Sequence, residues 1–165
     1  MKFDRFQDLV QRMLTADDQG GIVERHGKLT EYDVRQMNSL VLAYIGDAYF
    51  HLFIRTRLLA FDQSNVRALH AFSAQIVSAV WQHRAYLAIE PMLTEDEKAI
   101  YRRARNTKSH APRSSTVAEY HSSTGFEALL GSLYLRHKDA RLHELAEASF
   151  QVIAKAMRKE IQEET

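Results

Sequence analysis

The chain has 165 residues, a formal net charge of +1 and 45% hydrophobic residues, which is the size of one domain with enough apolar side chains for a sizeable core. The near-neutral balance gives no global sign of a polyanion binder, so any such surface must be local. Cysteine is absent, which excludes disulfides and thiolate metal sites and fits a reducing compartment; acids within Met1–Phe6 speak against a signal or transit peptide, and no run approaches the ~18 apolar residues of a membrane span, so a cytoplasmic chain with no membrane partner is expected.

Phe3, Phe6, Leu9, Val10, Met13 and Leu14 recur at helical spacing and predict an amphipathic helix over about 3–15, ended by the polar stretch Thr15–Gly21. Residues 22–30 follow no pattern. From Asp33 to Ala60 the apolar coverage is nearly continuous, with no proline and Gly46 as the one breaker, which reads as a central buried helix. Residues 61–65 form a loop. A helix over 66–89, broken near Ser73, ends at Glu90–Pro91, because proline disfavours helix at the residue before it. Thr94 and Glu97 have capping-box spacing and open a helix to Arg105. Asn106–Ser115 holds Pro112 and no core residue, so it is a loop. Thr116 and Glu119 repeat the capping box and open a second central helix to about Arg136. Asp139 caps a last helix over about 140–162, with Leu142, Leu145, Ala146, Phe150 and Ile153 on one face. No strand pattern survives, and the class is all-α.

Two of these helices each place one carboxylate inside a run that is otherwise apolar or small: Asp47 within Asn38–Ala48, and Glu127 within Ser123–Gly131. An unpaired carboxylate is expensive to desolvate. Each also carries a glycine, Gly46 beside Asp47 and Gly131 after Glu127; glycine costs about 1 kcal/mol in a helix interior relative to alanine, so it marks close approach by another backbone. Helices that meet at their glycines and present one acid each make a pocket for a hard divalent cation, Mg²⁺ or Mn²⁺, with water and substrate phosphate filling the remaining positions. The plainer alternative pairs each acid with an arginine or a helix N-terminus.

The segment Lys98–Arg113 holds Lys98, Arg102, Arg103, Arg105, Lys108 and Arg113 and no acid. Cations favour a helix C-terminus, which accounts for some of these charges; a phosphate-contacting surface accounts for all of them. Asn106, Thr107, Ser109 and His110 add groups able to reach ribose hydroxyls or base edges. No HExxH motif, His-Asp dipeptide, Walker A or GxSxG motif is present. His137 and His143 read as surface residues. His51, one turn after Asp47, reads as packing or as a neighbour of the pocket. Among the aromatics, Tyr44 and Tyr120 alone are kept as candidates for something other than core.

The stretch Gln36–Leu40 through Gly46-Asp47-Ala48, together with Phe126–Gly131, resembles the ribonuclease III endonuclease domain, and more closely its Mini-III branch, which lacks a double-stranded RNA-binding domain. Leu69-His70, Ile76–Ala79 and Arg105–Ser109 extend the likeness, which runs from about Asp33 to Ile153. The resemblance implies an all-α homodimer that cuts double-stranded RNA with Mg²⁺ held by acids on the central helices. Where larger enzymes of the family carry further acids, this chain has Leu40, Ala43 and Thr124, so Asp47 and Glu127 carry the catalytic and metal roles. Expected RNA contacts are Arg103, Arg105, Asn106, Lys108, Ser109 and Thr124, the last near the metal, and Tyr44 matches an aromatic residue of the dimer interface. The implied activity is hydrolysis leaving 5′-phosphate and 3′-hydroxyl ends, in maturation of a ribosomal RNA precursor. The division expected is an N-terminal helical extension over 1–30 and a catalytic domain over 31–165. The competing readings are a non-catalytic RNA-binding or ribosome-associated domain of the same fold, and a helical interaction domain with no nucleic acid.

Overall fold

The computed structural model describes residues 5–11, 29–107 and 115–163, and the chain divides into two compact units, Met1–Gln36 and Met37–Thr165. In the first, residues 5–11 are helical; Phe3, Met13, Leu14 and the Thr15–Gly21 stretch lie outside the described residues. Glu31–Gln36 forms a short helix opened by Thr30, whose hydroxyl accepts from Asp33 N at 3.2 Å while the Asp33 carboxylate accepts from Thr30 N at 2.8 Å.

The second unit is built from α1 (Ser39–Leu58), α2 (Val66–Ile76), α3 (Ala79–Ile89), a 3₁₀ turn (Glu90–Met92), α4 (Glu95–Arg105), α5 (Val117–Leu135) and α6 (Asp139–Glu163). The described residues contain no strand, and none of their helices is long and apolar enough to cross a membrane. Both capping boxes form: Thr94 N and Glu97 Oε2 lie 2.8 Å apart, and Thr116 N and Glu119 Oε2 lie 2.9 Å apart.

Three local expectations need correction. The continuous helix over 33–60 is interrupted at Met37–Asn38, because the Asn38 carboxamide accepts from Leu40 N at 2.8 Å and starts α1 afresh. The break expected near Ser73 falls at Val77–Ser78. Ser73 turns its hydroxyl back onto the His70 carbonyl at 3.1 Å, a bond that a helix tolerates, whereas Ser78 takes an extended φ/ψ of −66°/154°. Asp139 is the first residue of α6 and not its cap; the carbonyl that accepts the opening bond, from Leu142 N at 2.9 Å, belongs to Lys138.

Helix α5 ends in a Schellman motif, with Lys138 N bonded to Leu133 O and His137 N to Tyr134 O, both at 3.0 Å. His137 holds φ 54° at the position where glycine is usual.

α1 and α5 are the central pair, and the glycines set how closely they pack. A Cβ built on Gly46 would land on the carbonyl oxygen of Glu127 and 2.7 Å from Gly131 N; one built on Gly131 would land on the carbonyl oxygen of Leu42 and 2.9 Å from Gly46 N. Backbone therefore meets backbone with no room for a methyl group. On one side of this contact Phe50 meets Phe126 edge to face, with ring centroids 5.2 Å apart. Ile54, Leu129, Leu130 and Leu133 extend the same core, and α6 closes it with Leu142, Leu145, Ala146 and Ile153, all buried, and Phe150 at its margin. On the other side stand the acids.

Candidate catalytic site

The glycine contact determines where the carboxylates emerge. Asp47 follows Gly46 directly, and the Glu127 carbonyl is the group that Gly46 faces, so both side chains leave the helix pair at one level. They line a single cleft of about 610 Å³, together with Leu40, Ala43, Tyr44, Tyr120, Ser123 and Thr124 from the same helices. Ser115 and the first residues of α3, Ser78 to Val80, form the rest of the wall.

The acids differ in surroundings. Asp47 has its side chain 49% exposed, and His51 Nε2 lies 3.2 Å from its Oδ1, an i,i+4 contact on one helix face. His51 is thus a neighbour of the pocket, one of the roles its spacing allowed. Glu127 is largely buried. Burial, followed by the nearby charge of Asp47, pushes its carboxyl up to about 8, against the smaller lowering effect of a hydrogen bond from Gln82. Among the described residues neither acid is paired with an arginine, which sets aside that half of the plainer alternative.

A divalent cation fits this donor set. It would neutralise the charge that Glu127 finds costly and remove the repulsion from Asp47 at once, and carboxylate oxygens are the ligands Mg²⁺ and Mn²⁺ prefer. No group of three or more His, Asp or Glu side chains suited to a metal occurs among the described residues. Most of the coordination would therefore fall to water and to substrate oxygens.

Thr124 lines the cleft but turns its hydroxyl back onto the Tyr120 carbonyl at 3.0 Å, and Ser123 does the same at 2.9 Å. Tyr44 stands at the cleft, 76% exposed. Tyr120, the other aromatic singled out, lines the same wall.

The basic segment is only partly described, since Lys108, Ser109, His110 and Arg113 lie outside the described residues. Lys98 lies 3.3 Å and Arg102 3.7 Å from Glu95, which is the helix-surface pairing that accounts for part of the run. Arg103 Nη2 donates to the Met37 carbonyl at 3.3 Å. Arg105 and Asn106 are exposed at the end of α4. The structure thus brings Asp47, Glu127, Thr124 and Tyr44 to one cleft, and leaves Arg103, Arg105 and Asn106 off its lining.

Gln82 is the site neighbour that sequence reasoning missed. It is 1% exposed, its Nε2 donates to the Val77 carbonyl at 3.1 Å, and its Oε1 is buried without a partner. One sequence signal was available: a carboxamide in α3 flanked by Trp81, Ala85 and Tyr86, where an apolar residue would be routine.

The profile of the Ribonuclease III domain matches residues 40–138, a span holding both acids together with Gly46 and Gly131. The Mini-ribonuclease 3 of Thermoanaerobacter sp. is 42% identical over 134 residues, covering 81% of this chain and 94% of that protein. The Mini-ribonuclease 3 of Clostridium tetani is 40% identical over 120 residues, covering 72% and 80%. Among solved structures, an X-ray crystal structure of a Fusobacterium nucleatum protein superposes with a TM-score of 0.66 at 35% identity, covering 72% of this chain and 96% of that one.

Proposed function

Because the chain belongs to the ribonuclease III family, among its Mini-ribonuclease 3 members, we propose that it hydrolyses both strands of double-stranded RNA with Asp47 and Glu127 as its catalytic, cation-holding acids. Membership makes it an endoribonuclease of that family; the substrate, the metal and the residues are our reading. The observation that carries it is a pair of carboxylates facing one cleft, the more buried of them without a cationic partner among the described residues and raised by burial and then by the charge of the other. A structural acid would be paired. One held at this expense is a site waiting for a cation.

Mg²⁺, when bound there, supplies Lewis-acid polarisation at the scissile phosphate and acidifies the attacking water. The chain's own part is to aim and to exclude. The glycine contact holds the carboxylates at one level, His51 restrains the Asp47 carboxylate, and Gln82 restrains that of Glu127. The apolar floor beneath, Phe50 against Phe126, keeps the site's electrostatics strong by keeping water out of the helix contact. In-line attack would leave a 5′-phosphate and a 3′-hydroxyl. Arg103, Arg105, Asn106, Lys108 and Ser109 are proposed to hold the RNA backbone beside the cleft, with Thr124 inside it. We further propose a homodimer with Tyr44 at its interface, acting in the cytoplasm on a ribosomal RNA precursor.

The test is cleavage of a long duplex RNA with and without Mg²⁺, by the wild-type chain and by Glu127→Gln. Wild type is expected to cut only with the cation. Glu127→Gln should bind duplex RNA normally and cut roughly a thousandfold more slowly, since a lost cation site removes several kcal/mol of transition-state stabilisation. Near wild-type cleavage by the variant would refute the assignment.

A further inference from the structure

Gln82 lies in the first turn of α3, 1% exposed, with Trp81, Ala85 and Tyr86 of the same helix buried around it. The helix break before it supplies its first partner. The opening backbone bond of α3 runs from Gln82 N to the Ser78 carbonyl at 2.9 Å, so the Val77 carbonyl lies outside the ladder of that helix. Gln82 Nε2 donates to this carbonyl at 3.1 Å and satisfies a buried backbone group that the break would otherwise leave unpaired. Its second partner is Glu127. Because Gln82 Oε1 has no partner, the hydrogen bond that the Glu127 carboxyl receives from this side chain also comes from Nε2.

Two acceptors thus fix the carboxamide. A backbone carbonyl and an ionised carboxylate can only accept, so both require the amide nitrogen, and turning the group over would set Oε1 against them. The orientation leaves Oε1 buried and unpaired among the described residues, although native proteins satisfy nearly all such atoms. Methionine would fill the same space without that orphan. What glutamine has and methionine lacks is the pair of N–H groups, one on the helix junction and one on the acid. Gln82 itself is not part of the cleft lining, whereas Glu127 is, so the amide acts on the carboxylate from behind.

We infer that Gln82 is a positioning residue for the cation site: its amide nitrogen, anchored on the Val77 carbonyl, holds the Glu127 carboxylate in the orientation that lines the cleft with Asp47. The inference rests on the nuclease reading above and adds to it a residue that acts only through Glu127. It also gives the break at Val77–Ser78 a use, since the carbonyl freed there is the anchor. Loss of a group that orients a metal-binding side chain from behind lowers metal affinity or activity by about ten- to a hundredfold.

The test uses the full chain and two readouts: binding of Mn²⁺, which takes the same oxygen ligands as Mg²⁺, followed by electron paramagnetic resonance of the free ion, and steady-state cleavage of duplex RNA in Mg²⁺. Gln82→Met keeps the length of the side chain and removes both N–H groups. It should bind Mn²⁺ about ten- to a hundredfold more weakly and lose kcat by a similar factor, with KM for the duplex unchanged. Glu97→Gln, which alters a buried carboxylate outside the cleft lining, is the control and should bind Mn²⁺ as wild type does. A merely structural Gln82 predicts that Gln82→Met behaves like this control, with a lowered melting temperature and unchanged Mn²⁺ affinity and kcat; that result overturns the inference and leaves the nuclease standing. Should Gln82→Met fail to fold, the side-chain amide signal of Gln82 in ¹⁵N-labelled protein decides. Mg²⁺ should shift it in wild type and not in Glu127→Gln, and an unmoved wild-type signal overturns the positioning role. A wild type that neither binds a divalent cation nor cuts duplex RNA overturns both readings.

Discussion

Glu97 sits in the first turn of α4 and Glu127 in the interior of α5, and the fold treats them in opposite ways. Glu97 is 5% exposed. Burial on its own would raise its carboxyl, but Arg141 donates to it through Nε and Nη2, each at 2.9 Å, and Thr94 N donates at 2.8 Å. These bonds outweigh burial and hold the group below its ordinary range. At Glu127 burial acts with the Asp47 charge, and only the Gln82 amide opposes them, so the carboxyl rises to about 8. One acid is saturated with donors and ties α4 to α6. The other is deprived of them at the bottom of a cleft. What separates the tied carboxylate from the proposed catalytic one is the supply of donors, not the degree of burial.

The contrast can be broken first at the structural acid. Glu97→Gln removes the charge and one of the two oxygens that Arg141 holds, leaving the guanidinium one carboxamide oxygen, the exposed Glu144 and the Met92 carbonyl. Removing one partner of a buried pair should cost about 2–4 kcal/mol, a fall of about 5–15 °C in melting temperature. Cleavage, measured well below the new transition, should persist. Unchanged melting with lost cleavage would mean that the roles assigned to the two acids are reversed.

Glu127, the proposed catalytic acid, should answer with the opposite sign. A carboxyl raised in the folded state binds its proton more tightly there, so its stabilising contribution is full below the unfolded value near 4.5 and is lost as pH rises through about 8. Metal-free wild type should therefore lose stability between pH 5 and 8 relative to Glu127→Gln. At pH 8 the variant should be the more stable by about 1–3 kcal/mol, allowing for screening at a partly open cleft. Millimolar Mg²⁺ should close the gap by stabilising wild type alone. Glu97, with its lowered carboxyl, contributes in the other window: its stabilisation is present above about 4.5 and lost as pH falls below that. Parallel pH–stability curves for wild type and Glu127→Gln in chelator would contradict the account of Glu127.

The sequence disclosed the parts of this contrast that depend on local rules. Thr94 with Glu97, and Thr116 with Glu119, announced helix starts that form bond for bond. Gly46 and Gly131 announced a close backbone contact, and that contact brings Asp47 and Glu127 to one cleft. What stayed hidden depends on residues far apart in the chain. That Arg141 rather than a neighbour would satisfy Glu97 is a matter of how α6 crosses α4. That Gln82 would reach Glu127 follows from the position of α3, displaced by a helix break at Ser78 that periodicity placed at Ser73. Ser73 keeps its place in the helix by bonding back to the His70 carbonyl while Ser78 turns extended, and neither feature has a signature in composition.

The finest distinction lies within the acid pair, between burial and charge as causes of the shift at Glu127. Asp47→Asn removes the second cause and leaves the first, so Glu127 should titrate below about 8 but still above the ordinary carboxylate range. The accompanying gain in metal-free stability at pH 8 should be under about 1 kcal/mol and smaller than that of Glu127→Gln, because the burial penalty persists and His51 loses its partner. Carbon-detected NMR of labelled glutamate carboxyls reads the midpoint directly. A midpoint that falls all the way to the ordinary value would make Asp47 the whole cause and the cleft wetter than its lining implies. An unmoved midpoint would mean that the two carboxylates do not sense one another, and without that coupling a shared cation has no reason to bind between them.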